Sequence, residues 1–384
     1  MRRRLVVSVA LAAGFLTGCA GTALASGGTP VCIPAKEGKA IVTPIKGVCK
    51  PGYTLQELDA EGKAGPEGKQ GPAGPEGKDT FTEEQLALLK SILPYVRYVA
   101  VGIGGKPTIQ FSGANIQVLN GTNSTENPNG AGNIVIGYDE FGGSYRQTGS
   151  HNIILGSRET YTATGGIVGG YANTDEGTND FVFGNNDKAA EETGGVALLS
   201  GQGNEIKPGT AQGTAESAIV GGKSNNVSAD ESVVAGGVNN TIEGREGIQS
   251  VIVGGERNRS HASLSAILGG AANQTNGEAY AADNTITGGA GNNIENAGPK
   301  LESTVFGFIS GGENNFVKGN GNSVIGGYED QSTGGFAVLF GGFQGHSASA
   351  FAALVGGYRD AVTANYASVI GGKEETASEE YGVK

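Results

Sequence analysis

The sequence predicts an all-β chain: a parallel β-roll, or solenoid, of about 15 turns, preceded by a short collagen-like triple helix and a short trimerising helix. Three observations carry that prediction. Glycine supplies 70 of the 384 residues, against an ordinary ~7%. An aliphatic–glycine motif recurs along the last two-thirds of the chain, which is the mark of a repeat architecture. Six uninterrupted G-X-Y triplets stand ahead of it at 62–79. Composition also excludes alternatives. With no tryptophan, one methionine and three histidines, a large core of bulky side chains is not available. A collagen over the whole length would need about one-third glycine in strict period. The formal charge of −12 gives nucleic-acid binding no electrostatic footing.

Residues 1–25 have the form of an export signal: Arg2, Arg3 and Arg4, then an apolar stretch from Leu5 to Leu16. That stretch is too short for a membrane span, which takes about 20 residues. Two cleavage sites compete. Ala23-Leu24-Ala25 suits ordinary secretion. Leu16-Thr17-Gly18-Cys19 resembles a bacterial lipobox, directly follows the apolar stretch and makes Cys19 a lipidation site, so the lipoprotein is preferred. Either cut removes three arginines, so the mature charge is −12 − 3 = −15. In an exported chain the remaining Cys32 and Cys49 are expected to pair as a disulfide within the segment 26–61. A metal reading needs more ligands, and neither a histidine nor a CxxC lies nearby.

The stalk at 62–79 places glycine at 62, 65, 68, 71, 74 and 77, as the crowded axis of a collagen triple helix demands. Pro66, Pro72 and Pro75 fall at X. A flexible Gly/Pro linker is the alternative, since six triplets alone are too few to trimerise. The segment 80–96 supplies what is missing. Thr82-Glu83-Glu84-Gln85 is a capping box, and Leu86, Leu89, Leu93 and Val96 recur as a coiled-coil seam does. Pro94 ends the helix after about eleven residues. Alone, so short a helix is unstable; as a trimerising nub it clamps the rod. Residues 97–132 form a β-rich neck.

From 133 to 384 the repeat takes over. Its first glycine falls at 137, 156, 169, 184, 201, 221, 236, 254, 269, 288, 311, 326, 341, 356 and 371, and seven of the fourteen intervals are 15 residues. Two residues earlier every copy is aliphatic, from Val135, Ile154, Ile167, Val182 and Leu199 to Val369. Four residues earlier most are Ser, Ala, Gly or Asn. With period 2 these positions and the marker share one face, toward a narrow interior filled by one branched side chain per turn. The residue before the marker faces the other way, yet is often apolar too: Val253, Leu268, Ile325, Phe340, Val355, Ile370. Strands apolar on both faces are buried on both faces, so neighbouring chains are expected to cover the outside. The glycine pair permits the turn. Asn226, Asn240, Asn258, Asn273, Asn293 and Asn315 suit left-handed backbone and side-chain ladders. Longer intervals carry insertions, such as Asn296 to Phe306, expected to bulge from one edge. The acidic run Glu374 to Glu380 guards an open sheet end.

The recurring small-x-(Val/Ile)-x-Gly-Gly-x-x-Asn pattern resembles the head repeats of YadA-like trimeric autotransporter adhesins, over roughly 130–384. The resemblance implies a left-handed parallel β-roll, a homotrimer on a stalk, and binding to host matrix or other surfaces. That family ends in a membrane-embedded barrel segment, whereas this sequence ends at Lys384 in a roll turn. The expectation is therefore a head without self-transport, anchored if at all through Cys19, with the head outermost.

No reactive constellation emerges. Gly221-Gly222-Lys223-Ser224 has the tail of a phosphate loop, but Ser217 stands where its first glycine belongs. Gly102-x-Gly104 has Pro107 where a dinucleotide fingerprint needs glycine. Gly288 to Asn293 lacks the aspartate and the nine-residue period of a calcium repeat. His151, His261 and His346 fall in different turns. Asp175, Glu176 and Asp180 read as a solvated charged loop rather than a cation site. No enzyme activity, cofactor or metal is expected. The candidate binding face is two aromatic columns at spacing 15: Phe336, Phe351, Tyr366 and Tyr381, and Tyr328, Phe343 and Tyr358. Such rings are enriched at recognition surfaces, but stacking that stiffens the roll or buries a trimer seam explains them more simply. The expected function is an exported surface adhesin whose three heads bind an unidentified protein or glycan by multivalent contacts. A coat or matrix component without a specific ligand is the alternative. An ice-binding array is disfavoured because Lys223, Val238, Glu256 and Ala271 vary too much at one position.

Overall fold

The computed structural model describes residues 29–58, 81–140, 143, 145–209, 216–244, 249–277, 283–295 and 306–384. The signal segment with Cys19, the collagen-like triplets and the expected bulge at 296–305 lie outside the described residues. The chain forms two compact units, 1–112 and 113–384, so the neck at 97–132 contributes to both.

In the first unit, Thr29–Pro34 pairs antiparallel with Tyr53–Leu58, and a disulfide joins Cys32 to Cys49 with the Cα atoms 5.7 Å apart. Helix Glu83–Ile92 begins at the capping box: the Gln85 N–H donates to Thr82 Oγ1 at 3.2 Å, and the Thr82 N–H donates to Gln85 Oε1 at 3.0 Å. Both orphan donors are thereby satisfied. Pro94 lies in the 3₁₀ turn Leu93–Tyr95, and Val96–Val99 then pairs antiparallel with Thr108–Phe111. Leu86, Leu89 and Leu93 are all exposed in the single chain. The Gly102-x-Gly104 segment is a tight turn in which Gly104 has φ +59°.

The second unit is a parallel β-solenoid with a 15-stranded and a 14-stranded sheet, about fourteen turns in all. Each turn contributes one strand to each sheet, and every strand pairs with its counterparts in the turns before and after. The first sheet runs from Ile134–Val135 to Ser368–Ile370, the second from Thr160–Tyr161 to Thr376–Ala377. Between them runs a ladder of single bridges through Gln202, Lys223, Val238, Glu256, Ala271, Ala290, Glu313, Tyr328, Phe343, Tyr358 and Lys373.

The inward column of the first sheet is aliphatic and fully buried, as in Ile154, Val182, Ile219, Ile252, Ile309 and Val369. Three positions differ from expectation. Strand pairing sets Val168 against Ile154 and Val182, and Leu198 against Ile219, so Val168 and Leu198 point inward rather than Ile167 and Leu199. The markers of those turns are accordingly Gly170 and Ser200. Val135 is exposed because its strand is the last of the sheet. The interior also holds more than one side chain per turn. The second sheet adds an inward column, including Ile206, Val227, Ile242, Ser260, Thr275, Ile294, Val317, Ser332, Ser347 and Val362.

The two glycines of each pair are not equivalent. A Cβ on the marker glycine at 236 or 254 would meet nothing within 4 Å, so in these turns the marker does not line the interior, whereas in the first turns the markers Gly156, Gly170 and Gly184 abut the buried Glu159, Asn173 and Asp187. The second glycine has φ +87° at Gly237 and +86° at Gly255, and a Cβ there would collide with the neighbouring turn. In the middle turns this second position is the one that demands glycine, while in the distal turns the markers Gly311, Gly326, Gly341, Gly356 and Gly371 demand it too, with φ from +59° to +76°.

Candidate functional site

A continuous polar ladder inside the roll accounts for the asparagines. Asn225, Asn240, Asn258, Asn273, Asn292 and Asn315 are buried, and each Oδ1 accepts the backbone N–H of the next rung; the Asn240, Asn258 and Asn273 N–H groups donate at 2.9, 3.0 and 3.0 Å. Each Nδ2 donates to two backbone carbonyls. For Asn258 these are Gly254 at 2.9 Å and Gly270 at 3.1 Å. Every polar atom of the rung is thus satisfied without water, as a buried amide requires. Asn226 and Asn293 are not rungs; each lies one residue beyond, in a strand of the second sheet. Left-handed backbone belongs to the residue before each rung, such as Ser224, Asn239, Arg257 and Ala272. Lys223 and Ser224 are therefore a bridge residue and a turn residue, not a phosphate loop.

The small residues four before the marker form a second ladder. Ser217, Ser232 and Ser250 use Oγ to accept the N–H of Ser232, Ser250 and Ser265 at 3.0, 3.2 and 3.2 Å. Their smallness was legible in the sequence; their role as acceptors for the next turn depends on the pairing.

At three rungs an aspartate replaces asparagine: Asp187, Asp330 and Asp360, all buried. Their Oδ1 atoms accept from Asn204, Gly345 and Glu375 N–H at 2.7, 2.8 and 2.9 Å, while each Oδ2 is buried and has no hydrogen-bond partner. Desolvation pushes Asp187 and Asp330 up to about 6. The lowest turns hold further acids. Burial, with the Asp139 charge adding to it, lifts Glu159 to about 7.

Asp175 and Asp180 are not a solvated loop. Both are buried: Asp180 accepts from the Thr193 hydroxyl at 2.7 Å and the Val196 N–H at 3.0 Å, and Asp175 from the Gly177 N–H at 3.2 Å. Desolvation first and the neighbouring carboxyl second push Asp175 well above the carboxylate range. Glu176 instead pairs outside with Arg146 and Lys188. Among the described residues no group of three or more His, Cys, Asp or Glu side chains could hold a metal ion. The three histidines stay apart in separate turns; His151 Nε2 accepts from the Asn120 N–H at 3.3 Å.

Both aromatic columns stack face to face. Centroids are 5.4, 5.0 and 5.1 Å apart along Phe336, Phe351, Tyr366 and Tyr381, and 5.1 and 5.2 Å apart along Tyr328, Phe343 and Tyr358. The first column stands on left-handed backbone at every rung, with φ from 56° to 59°, a conformation that is unfavourable for a bulky side chain. Stacking repeated at each turn offsets that strain. Gly321 lies directly against the Phe336 ring. In the second column the Arg359 guanidinium stands 5.0 Å and the Lys373 ammonium 5.9 Å from the Tyr358 centroid. Stacking thus covers the ring faces within each column and leaves mainly ring edges to solvent. Tyr381, 70% exposed at the end of its column, is the exception.

Fold and side chains together define a repeat β-solenoid with polar internal ladders and stacked exterior columns. No protein-family model matches the chain, and no curated protein matches it.

Proposed function

We propose that the chain is an exported, non-enzymatic surface protein whose roll is the head of a homotrimer and adheres through multivalent weak contacts. The observation that carries the proposal is an uncovered apolar column on the outer face of the first sheet. Val220, Val253, Leu268, Ile325, Phe340, Val355 and Ile370 are 37–67% exposed in the single chain. Apolar surface of this kind, here in two stretches parted by Thr287 and Ser310, marks an interface, and second and third copies of the chain are its natural cover. The exposed seam of Leu86, Leu89 and Leu93 supports the same assembly independently. In this reading the triplets at 62–79 form a collagen-like rod, Cys19 carries the lipid anchor at a bacterial surface, the roll is left-handed as in YadA-like heads, and the ligand is a protein or glycan. Avidity from three heads supplies affinity without new chemistry.

The stacked columns favour a second reading, a coat or matrix component, because rings that cover one another stiffen a rod more readily than they receive a sugar. Sedimentation of the full chain and binding of the purified protein to immobilised glycans and matrix proteins separate the two. A trimer that binds a surface and loses binding with Val253→Asp/Leu268→Asp supports adhesion. Self-association alone supports the coat, and a monomer overturns the architecture.

A further inference from the structure

The aspartate rungs occupy a place built for a hydrogen-bond donor. In each asparagine rung the glycine three residues earlier abuts the Nδ2, as Gly237 abuts Asn240 and Gly255 abuts Asn258; Gly184 and Gly327 abut Oδ2 of Asp187 and Asp330 in the same way. The Nδ2 of an asparagine rung donates to the carbonyl four residues earlier and to that of the second glycine of the next turn. By analogy with the asparagine rungs, the acceptors corresponding to Asp330 Oδ2 are the carbonyls of Gly326 and Gly342, and those corresponding to Asp187 Oδ2 are the carbonyls of Phe183 and Gly201. Backbone carbonyls facing a buried Oδ2 that has no donor of its own are an unfavourable arrangement for an ionised carboxylate.

We propose that Asp187 and Asp330 are proton-binding rungs: in the folded roll each carries a proton on Oδ2 and donates it to these backbone carbonyls, so that the roll is tightest in acid and loosens as the two carboxyls ionise. The proton comes from solvent and returns to it; no other group changes. The side chains facing Asp187 along the ladder are the neutral Asn173 and Asn204, and Asn315 faces Asp330 with side-chain-free Gly345 beyond it. The nearest ladder acids are Glu159, beyond Asn173, and Asp360, beyond Gly345. The neighbouring Lys188 and Glu329 bind Glu176 and Gln344 on the outside. Desolvation is the cause that raises both aspartates, with no charged partner acting on either.

The sign follows from linkage. A carboxyl at 3.8 unfolded and about 6 folded contributes stability that is complete below pH 3.8 and is lost as pH rises through about 6. A difference of about two pKa units corresponds to about a hundredfold in the folding equilibrium for each rung. The test compares the full chain with Asp187→Asn and Asp330→Asn by denaturant unfolding from about pH 4 to about pH 7.5. Each asparagine variant should match the parent at the acid end and become up to about a hundredfold more stable near pH 7.5. A difference that does not change with pH, or an asparagine variant less stable than the parent near pH 7.5, overturns the proposal. Infrared titration of the unmodified chain needs no variant. Carboxylic-acid carbonyl absorption should show a step of loss near pH 6, ahead of the later losses from Glu159 and Asp175, and the absence of a step near 6 equally overturns it.

Discussion

The middle turns of the roll and the distal ones solve the same packing problem with different materials. Between Asn204 and Asn315 the interior is satisfied throughout: an uninterrupted amide ladder, with Ile206, Val227, Ile242 and Ile294 in the inward column of the second sheet and the Thr275 hydroxyl donating to Ser260 Oγ within it. Beyond it the ladder reads Asp330, Gly345, Asp360, Glu375, and the same column holds Ser332 and Ser347, whose Oγ atoms are buried without partners. The exterior changes in the opposite sense. Both aromatic columns lie wholly in these distal turns. In a solenoid each turn contacts only its neighbours, so stability is roughly a sum of local terms. A stretch with a weaker interior must then be held from outside, and ring stacking, at about 0.5–1.5 kcal/mol per pair, is suited to that.

Breaking the middle ladder should have the largest effect. Asn258→Ala leaves the Gly254 carbonyl and the Asn273 N–H unsatisfied and takes one of two donors from the Gly270 carbonyl, which keeps the Glu256 N–H, an expected loss of about 3–5 kcal/mol in denaturant unfolding. A loss under about 1 kcal/mol would show that the amide ladder is not what holds the middle turns. Next comes the buried pair at the proximal end. Asp175 is raised from 3.8 by burial and by Asp180, so its contribution is complete below pH 3.8 and is lost as pH rises through its folded value. Asp175→Asn should therefore be near neutral in acid and stabilising at neutral pH; melting curves at the two pH values check this. On the distal exterior, Phe351→Ser removes two stacking contacts, and about 1–2 kcal/mol should disappear from the distal transition alone. Loss of surface adhesion with the melting temperature intact would instead identify the column as a binding face. The smallest change mends the interior. Ser347→Val replaces an unpartnered hydroxyl with methyl groups and should add about 1 kcal/mol; destabilisation would mean the distal core has no room to fill.

How far the residues alone reach is clearest where they miss by one. Val168 and Ile167 are both aliphatic beside a glycine, as are Leu198 and Leu199, and a period of two gives adjacent apolar residues opposite faces. Only pairing to Ile154 and Ile219 selects the inward member of each pair. The same ambiguity separates Asn225 from Asn226 and Asn292 from Asn293. The second inward column has no continuous hydrophobic signature in the sequence, because Ser260, Thr275, Ser332 and Ser347 interrupt it. The aromatic columns, by contrast, were legible in full, since a spacing of 15 repeats in register through four distal turns.

What the sequence by itself determined is a glycine-rich parallel roll of roughly 15-residue turns, because a period that long and that regular admits little besides stacking of each turn on the next. What only the tertiary structure decided is which polar groups the stacking buries. A carboxylate, an amide and a hydroxyl look alike as turn residues in a linear chain. They become different things when the next turn brings an N–H to one oxygen and two carbonyls to the other atom, because desolvation makes the missing donor costly only once water is gone.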